Sequence, residues 1–81
     1  MDVLIPMNRK TVTYAHGDFR VDITETEKLF DVYLWHKDYG IKEHMFGLFK
    51  TSLARDGRPV QEIVLNNLPE YERDYEEQYF D

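Results

Sequence analysis

Eighty-one residues, 42% apolar and 15% aromatic with four glycines and three prolines, describe one small folded domain, spanning 1–81, and not a disordered tract. No cysteine is present, which excludes a disulfide scaffold, thiolate metal sites and thiol catalysis. The formal net charge of -6 gathers at one end: residues 1–68 carry ten acids against nine bases, a net of -1, and residues 69–81 carry six acids against one base, a net of -5.

The first residues, MDVLIPMNRK, hold a short apolar run behind Asp2 and lack the basic n-region and long h-region of a signal peptide. No stretch approaches the roughly 20 apolar residues that span a bilayer. The expectation is a cytoplasmic protein whose residues 1–8 form a disordered arm ahead of the fold. From Arg9 the pattern is β. Val12 and Tyr14 alternate with threonines, and after the turn His16-Gly17-Asp18 the run DFRVDIT sets Phe19, Val21 and Ile23 on one face against Arg20, Asp22 and Thr24 on the other. This predicts a hairpin with one wet face, Gly17 supplying the positive φ of the turn.

ETEK, residues 25–28, predicts the next turn. In LFDVYLWH, Phe30, Val32 and Leu34 share one face while Leu29, Tyr33 and Trp35 share the other, interrupted by Asp31. Apolar on both faces, it predicts a central strand. Residues 40–49 are ambiguous: Ile41, Met45, Leu48 and Phe49 suit a helix capped by Asp38, Gly47 opposes one, and strand alternation fails at Met45-Phe46. The reading taken is a short helix or irregular turn over 40–46 with an extended piece after it. SLARDGRP reads as a loop turning at Asp56-Gly57, with Pro59 in the first turn of a helix.

From Val60 the spacing becomes helical. Val60, Ile63, Val64, Asn67 or Leu68, Tyr71, Tyr75 and Tyr79 recur every three or four residues. Pro69 interrupts the stripe, and Asn67 with Glu70 resembles a capping box, so two helices, or one kinked near Pro69, are expected. The fold class is therefore α+β: an antiparallel meander of three to four strands over 9–50, covered on one face by a C-terminal helix or kinked helix pair over 59–80.

Little in this chain is arranged for chemistry. Histidines stand at 16, 36 and 44, none with a metal-ligand spacing, and the single serine, Ser52, has no glycine elbow. His36 or His44 with Asp38 is the best acid/base pair on offer. Phosphate-cradling glycine motifs are missing. No catalytic residue, metal or cofactor is expected, and a net acidic chain disfavours direct nucleic-acid and anionic-membrane contact. The aromatic surplus points instead to a small non-enzymatic interaction module for a protein partner or a second copy, most simply a homodimer, with no small-molecule substrate. Trp35, Phe30 and Val32 read as core. Tyr71, Tyr75, Tyr79 and Phe80, with Glu72, Glu76 and Glu77, are the candidate partner-binding residues on the last helix. Its carboxylates also suggest an alternative, an acidic inhibitor that imitates nucleic acid in the groove of a basic protein.

Overall fold

The structure, a computed structural model, describes residues 10–80. The arm expected over 1–8 lies outside them. Four strands run in order, β1 (Lys10–His16), β2 (Phe19–Glu25), β3 (Leu29–His36) and β4 (Glu43–Phe49), followed by α1 (Lys50–Asp56) and α2 (Val60–Tyr79). The strands form one antiparallel sheet in the order β1-β2-β3-β4, each paired with its neighbour in sequence. This is the α+β meander and helical cover that the alternation and the later helical spacing predict.

The hairpin β1-β2 turns through two residues, with Gly17 at φ 61° and His16 facing Phe19 across the close. At the next turn Thr26 takes over the corner: its N–H and its hydroxyl both donate to the Leu29 carbonyl, at 2.8 Å each. β3 is the central strand its two apolar faces call for, paired with β2 on one side and β4 on the other.

Three local expectations are corrected. Residues 43–49 form strand β4, and no helix forms over 40–46. Val32 faces Phe46 while the next residue, Tyr33, faces His44, so Met45 is an inserted bulge residue. The bulge restores alternation on either side of itself, which is why a strict period of two fails in the sequence at Met45-Phe46. SLARD, read as loop, lies in helix α1, closed by Gly57 at φ 81° with its N–H on the Leu53 carbonyl. Lys50, Leu53, Ala54 and Arg55 are good helix formers, but no α1 residue is buried, so it leaves no apolar period to read. Finally, the capping box read at Asn67 does not form: of the two alternatives at Pro69 the single helix holds, α2 running through with Pro69 inside it and Pro59 as its N-cap. Asn67 caps no second helix; its amide donates to the Ile63 carbonyl at 2.8 Å within the first half.

One face of α2 lies on one face of the sheet. Phe19, Val21 and Ile23 of β2, Val32 and Leu34 of β3, and Val64, Leu68 and Tyr75 of α2 form the buried core. Each fully buried side chain of this kind contributes roughly 1.5–3 kcal/mol. The inner row of β3 ends in His36, buried in a box of rings: Phe19, Tyr39 and Phe80 all meet it edge-on, with centroids at 5.2, 5.7 and 5.0 Å. Among the described residues the opposite face of the sheet carries no helix, and together they form a slab 18 Å thick.

Candidate functional site

The tyrosine stripe of α2 is turned inward. Tyr75 is 1% exposed, edge-on to Phe19, and its hydroxyl donates to the Ile41 carbonyl at 2.6 Å. It offers nothing to a partner in this fold. Tyr71 stacks on Phe46 with centroids 4.8 Å apart, and Phe80 lies flat on Tyr39 at 4.4 Å. Both are half-buried. The hydroxyl of Tyr79 donates to the Glu43 carboxylate. That bond favours the phenol over the phenolate, and pushes the Tyr79 pKa up to about 12.

Among the acids named with these tyrosines, Glu72 is committed inside the molecule. His16 Nδ1 lies 2.5 Å from its carboxylate, which joins α2 to the end of β1. Glu76 and Glu77 are exposed, and with Glu70, Arg73 and Asp74 they form the solvent side of the helix. The sequence therefore groups seven residues that the fold separates: four aromatics and Glu72 against the sheet, two carboxylates in water.

The open face of the sheet holds the more distinctive constellation. Asp22, in the middle of β2, points away from α2 yet is only 4% exposed. A buried carboxylate needs partners for its charge. One oxygen accepts from the Thr13 hydroxyl at 2.5 Å, and the other is 2.5 Å from the Lys42 ammonium. Lys42 reaches it across two rings, 5.4 Å from the centroid of Tyr33 and 5.1 Å from that of Trp35. Cation–π contacts at these distances contribute about 0.5–1 kcal/mol each at exposed sites. Next along the face, His44 meets Tyr33 edge-on at 5.1 Å, and its Nε2 lies 3.0 Å from Asp31. At the far end Leu29 faces Phe49, which is 56% exposed.

Register explains the grouping. Tyr33 lies directly across from Asp22, Trp35 two residues on, and the bulge at Met45 keeps His44 on the open face beside Tyr33. Trp35, read as core together with Phe30 and Val32, is half-buried on this face; Val32 alone is fully enclosed and Phe30 packs at the edge of the core. The sequence does place Tyr33 and Trp35 on one strand face. What it lacks is a signal for Lys42, which reads as part of an ambiguous turn.

Chemically the face is suited to recognition. It combines broad ring surface, a half-exposed ammonium and paired carboxylates, and it holds no serine, cysteine or cradle of backbone N–H groups. Among the described residues no three of His, Asp or Glu cluster closely enough to hold a metal ion, and no helix is long and apolar enough to cross a membrane. Comparison of the chain with protein-family models, with curated proteins and with solved structures finds no match.

Proposed function

We propose that the chain is a small, non-enzymatic, cytoplasmic protein-interaction module that works as a homodimer and meets its partner with the open face of the sheet. What carries the reading is Trp35 and Tyr33 lying side by side under Lys42 on a face that neither described helix covers. Trp and Tyr are the residues that most often anchor protein interfaces, because a rigid ring buries a large area at low entropic cost. Leu29 and Phe49 extend the same face with apolar surface.

A second reading draws on the other side of the molecule. Glu70, Asp74 and Glu77 are exposed at i, i+4 and i+7, so three carboxylates share one side of α2 at steps of roughly 4.5–6 Å along its axis. Such a row favours an acidic inhibitor that imitates nucleic acid before a basic partner.

One experiment separates them. The tagged full chain is used to capture proteins from the lysate of its native host, beside Trp35→Ser and beside Glu70→Gln/Asp74→Asn/Glu77→Gln, each checked for folding by circular dichroism. A partner retained by the helix variant and weakened at least about tenfold by Trp35→Ser supports the sheet face. Loss with the helix variant and retention by Trp35→Ser overturns it in favour of the acidic row.

A further inference from the structure

The two edges of the sheet are unlike. β4 is broken by the Met45 bulge, a device that twists an edge away from further pairing. β1, KTVTYAH, has neither a proline nor a bulge over its seven paired residues. Because His16 and Phe19 close a two-residue hairpin loop, they exchange their backbone bonds with each other, and strict alternation makes Tyr14 and Val12 do the same with β2. The N–H and C=O groups of Thr11, Thr13 and Ala15 therefore point out from the sheet.

We propose that this edge pairs with the same edge of a second copy, antiparallel about a two-fold axis through Thr13, to give one continuous eight-stranded sheet. The inference rests on the reading that the chain self-associates, and names the surface and register by which it does so. In this register Thr13 faces Thr13 of the second copy and Thr11 faces Ala15, so every outward backbone group of the three residues finds a partner. Other registers centred on an inward-bonding residue would set bonded groups against each other.

The side chains agree with the register. On the helix side Val12, 49% exposed, meets Tyr14 of the second copy. That ring comes to the mouth of a groove of about 210 Å³ whose walls include Ile23, Phe30, Val60 and Gln61. At either end Lys10 of one copy comes opposite His16 of the other, whose ring is bound to the Glu72 carboxylate, so an ammonium is brought to an acid 17% exposed. Both contacts occur twice by symmetry, as an isologous interface requires. The pairing places both α2 helices on the same side and joins the two open faces into one. A strand edge adding a strand is a common mode of recognition, in which backbone bonds give affinity and the alternating side chains give register.

A chain without cysteine makes the test clean. Light scattering first gives the mass of the native chain in solution across a range of concentration, with two chains expected at the upper end. Thr13→Cys and Thr11→Cys are then oxidised mildly in parallel; both positions are on the exposed face of β1. About the proposed axis the Cα atoms of position 13 in the two copies stand about 5.5 Å apart, within disulfide reach, whereas position 11 and its copy are four residues out of step, roughly 14 Å. Linked dimer at least about tenfold faster from Thr13→Cys than from Thr11→Cys, with Thr11→Cys/Ala15→Cys linking as readily, supports the proposal. A two-chain mass with equal or no linking at position 13 overturns this edge and register while leaving self-association standing. A single-chain mass at every concentration overturns both.

Discussion

Gly57 ends α1 at φ 81°, a conformation that sets the Cβ of an L-residue against the following carbonyl, and a Cβ added there meets nothing else within 4 Å. Gly57→Ala is expected to lower stability by about 1–2 kcal/mol through backbone strain alone. Gly47 lies inside β4 without a positive φ, and its added Cβ would come no closer than 3.5 Å, to Asp31 Oδ1. Gly47→Ala is expected to raise stability by about 0.5–1 kcal/mol, since the unfolded chain loses freedom and the fold loses nothing. Urea midpoints at unchanged slope check both, and equal effects of one sign would contradict the account. Tyr79 belongs to the same scale. Its pKa stands at about 12 in the fold against 10.0 for a free phenol, because Glu43 accepts its proton in a hydrogen bond. A folded pKa raised above the unfolded one means that the contribution is complete below pH 10 and fades as pH climbs through 12. The melting temperature of the native chain should thus exceed that of Tyr79→Phe by a constant margin up to pH 9 and by a shrinking one between pH 10 and 12; a margin flat throughout would show that the bond does not form.

Among the elements, α2 contains the clearest conflict between local and long-range preference. Pro69 removes the N–H that the Leu65 carbonyl would accept and crowds that carbonyl, a disruption worth up to about 3 kcal/mol in a helix interior. The helix nonetheless continues, because Leu68 before the proline and Tyr75 after it are both buried on one stripe. Pro69 itself is exposed. Pro69→Ala is expected to stabilise the protein by about 1–3 kcal/mol in urea unfolding, and a loss of stability would mean that the proline is needed for docking. The same conflict limits what the chain reveals in advance. β1 and β2 are legible because each alternates, β3 because it is apolar on both faces, and the stripe from Val60 to Tyr79 is legible because its period is helical. Asn67-Leu68-Pro69-Glu70 carries the local marks of a new helix start, and only burial on both sides overrules them. The fourth strand is hidden by its bulge, and α1 by having no buried face.

At the scale of the whole fold, the core draws on β2, β3 and α2 at once, and among the described residues neither layer holds a separate cluster of buried apolar side chains. Sheet and helix should therefore unfold in one step. Trp35 is the only tryptophan and lies on the open face, so its fluorescence reports the sheet, while far-ultraviolet dichroism is dominated by the twenty residues of α2. The two signals are expected to trace one urea transition with one midpoint; an earlier loss of dichroism would mean that α2 leaves first. The candidate surface is a property of this scale too. Tyr33 and Trp35 announce a shared face in the sequence, but Asp22, Lys42 and Thr13 reach them only through a register fixed by three hairpins and a bulge. No spacing along the chain encodes that meeting. Conversely, the aromatic helix that dominates the sequence as a partner surface is mostly absorbed by the sheet beneath it.

Every strand of the meander pairs with the one beside it in the chain, and this has a bearing on how the protein is made. Short loop closures are entropically light, so the sheet can zip hairpin by hairpin at a rate typical of low contact order. The helix that covers Val21, Val32 and Leu34 is translated after all four strands. On a ribosome the finished sheet would thus wait with its oily side bare for the time taken to synthesise some thirty further residues, about 2–6 s at ordinary elongation rates. During that interval an unblunted β1 edge and an uncovered inner face coexist, which makes the nascent chain, more than the native one, the state that needs protection from its neighbours on a polysome.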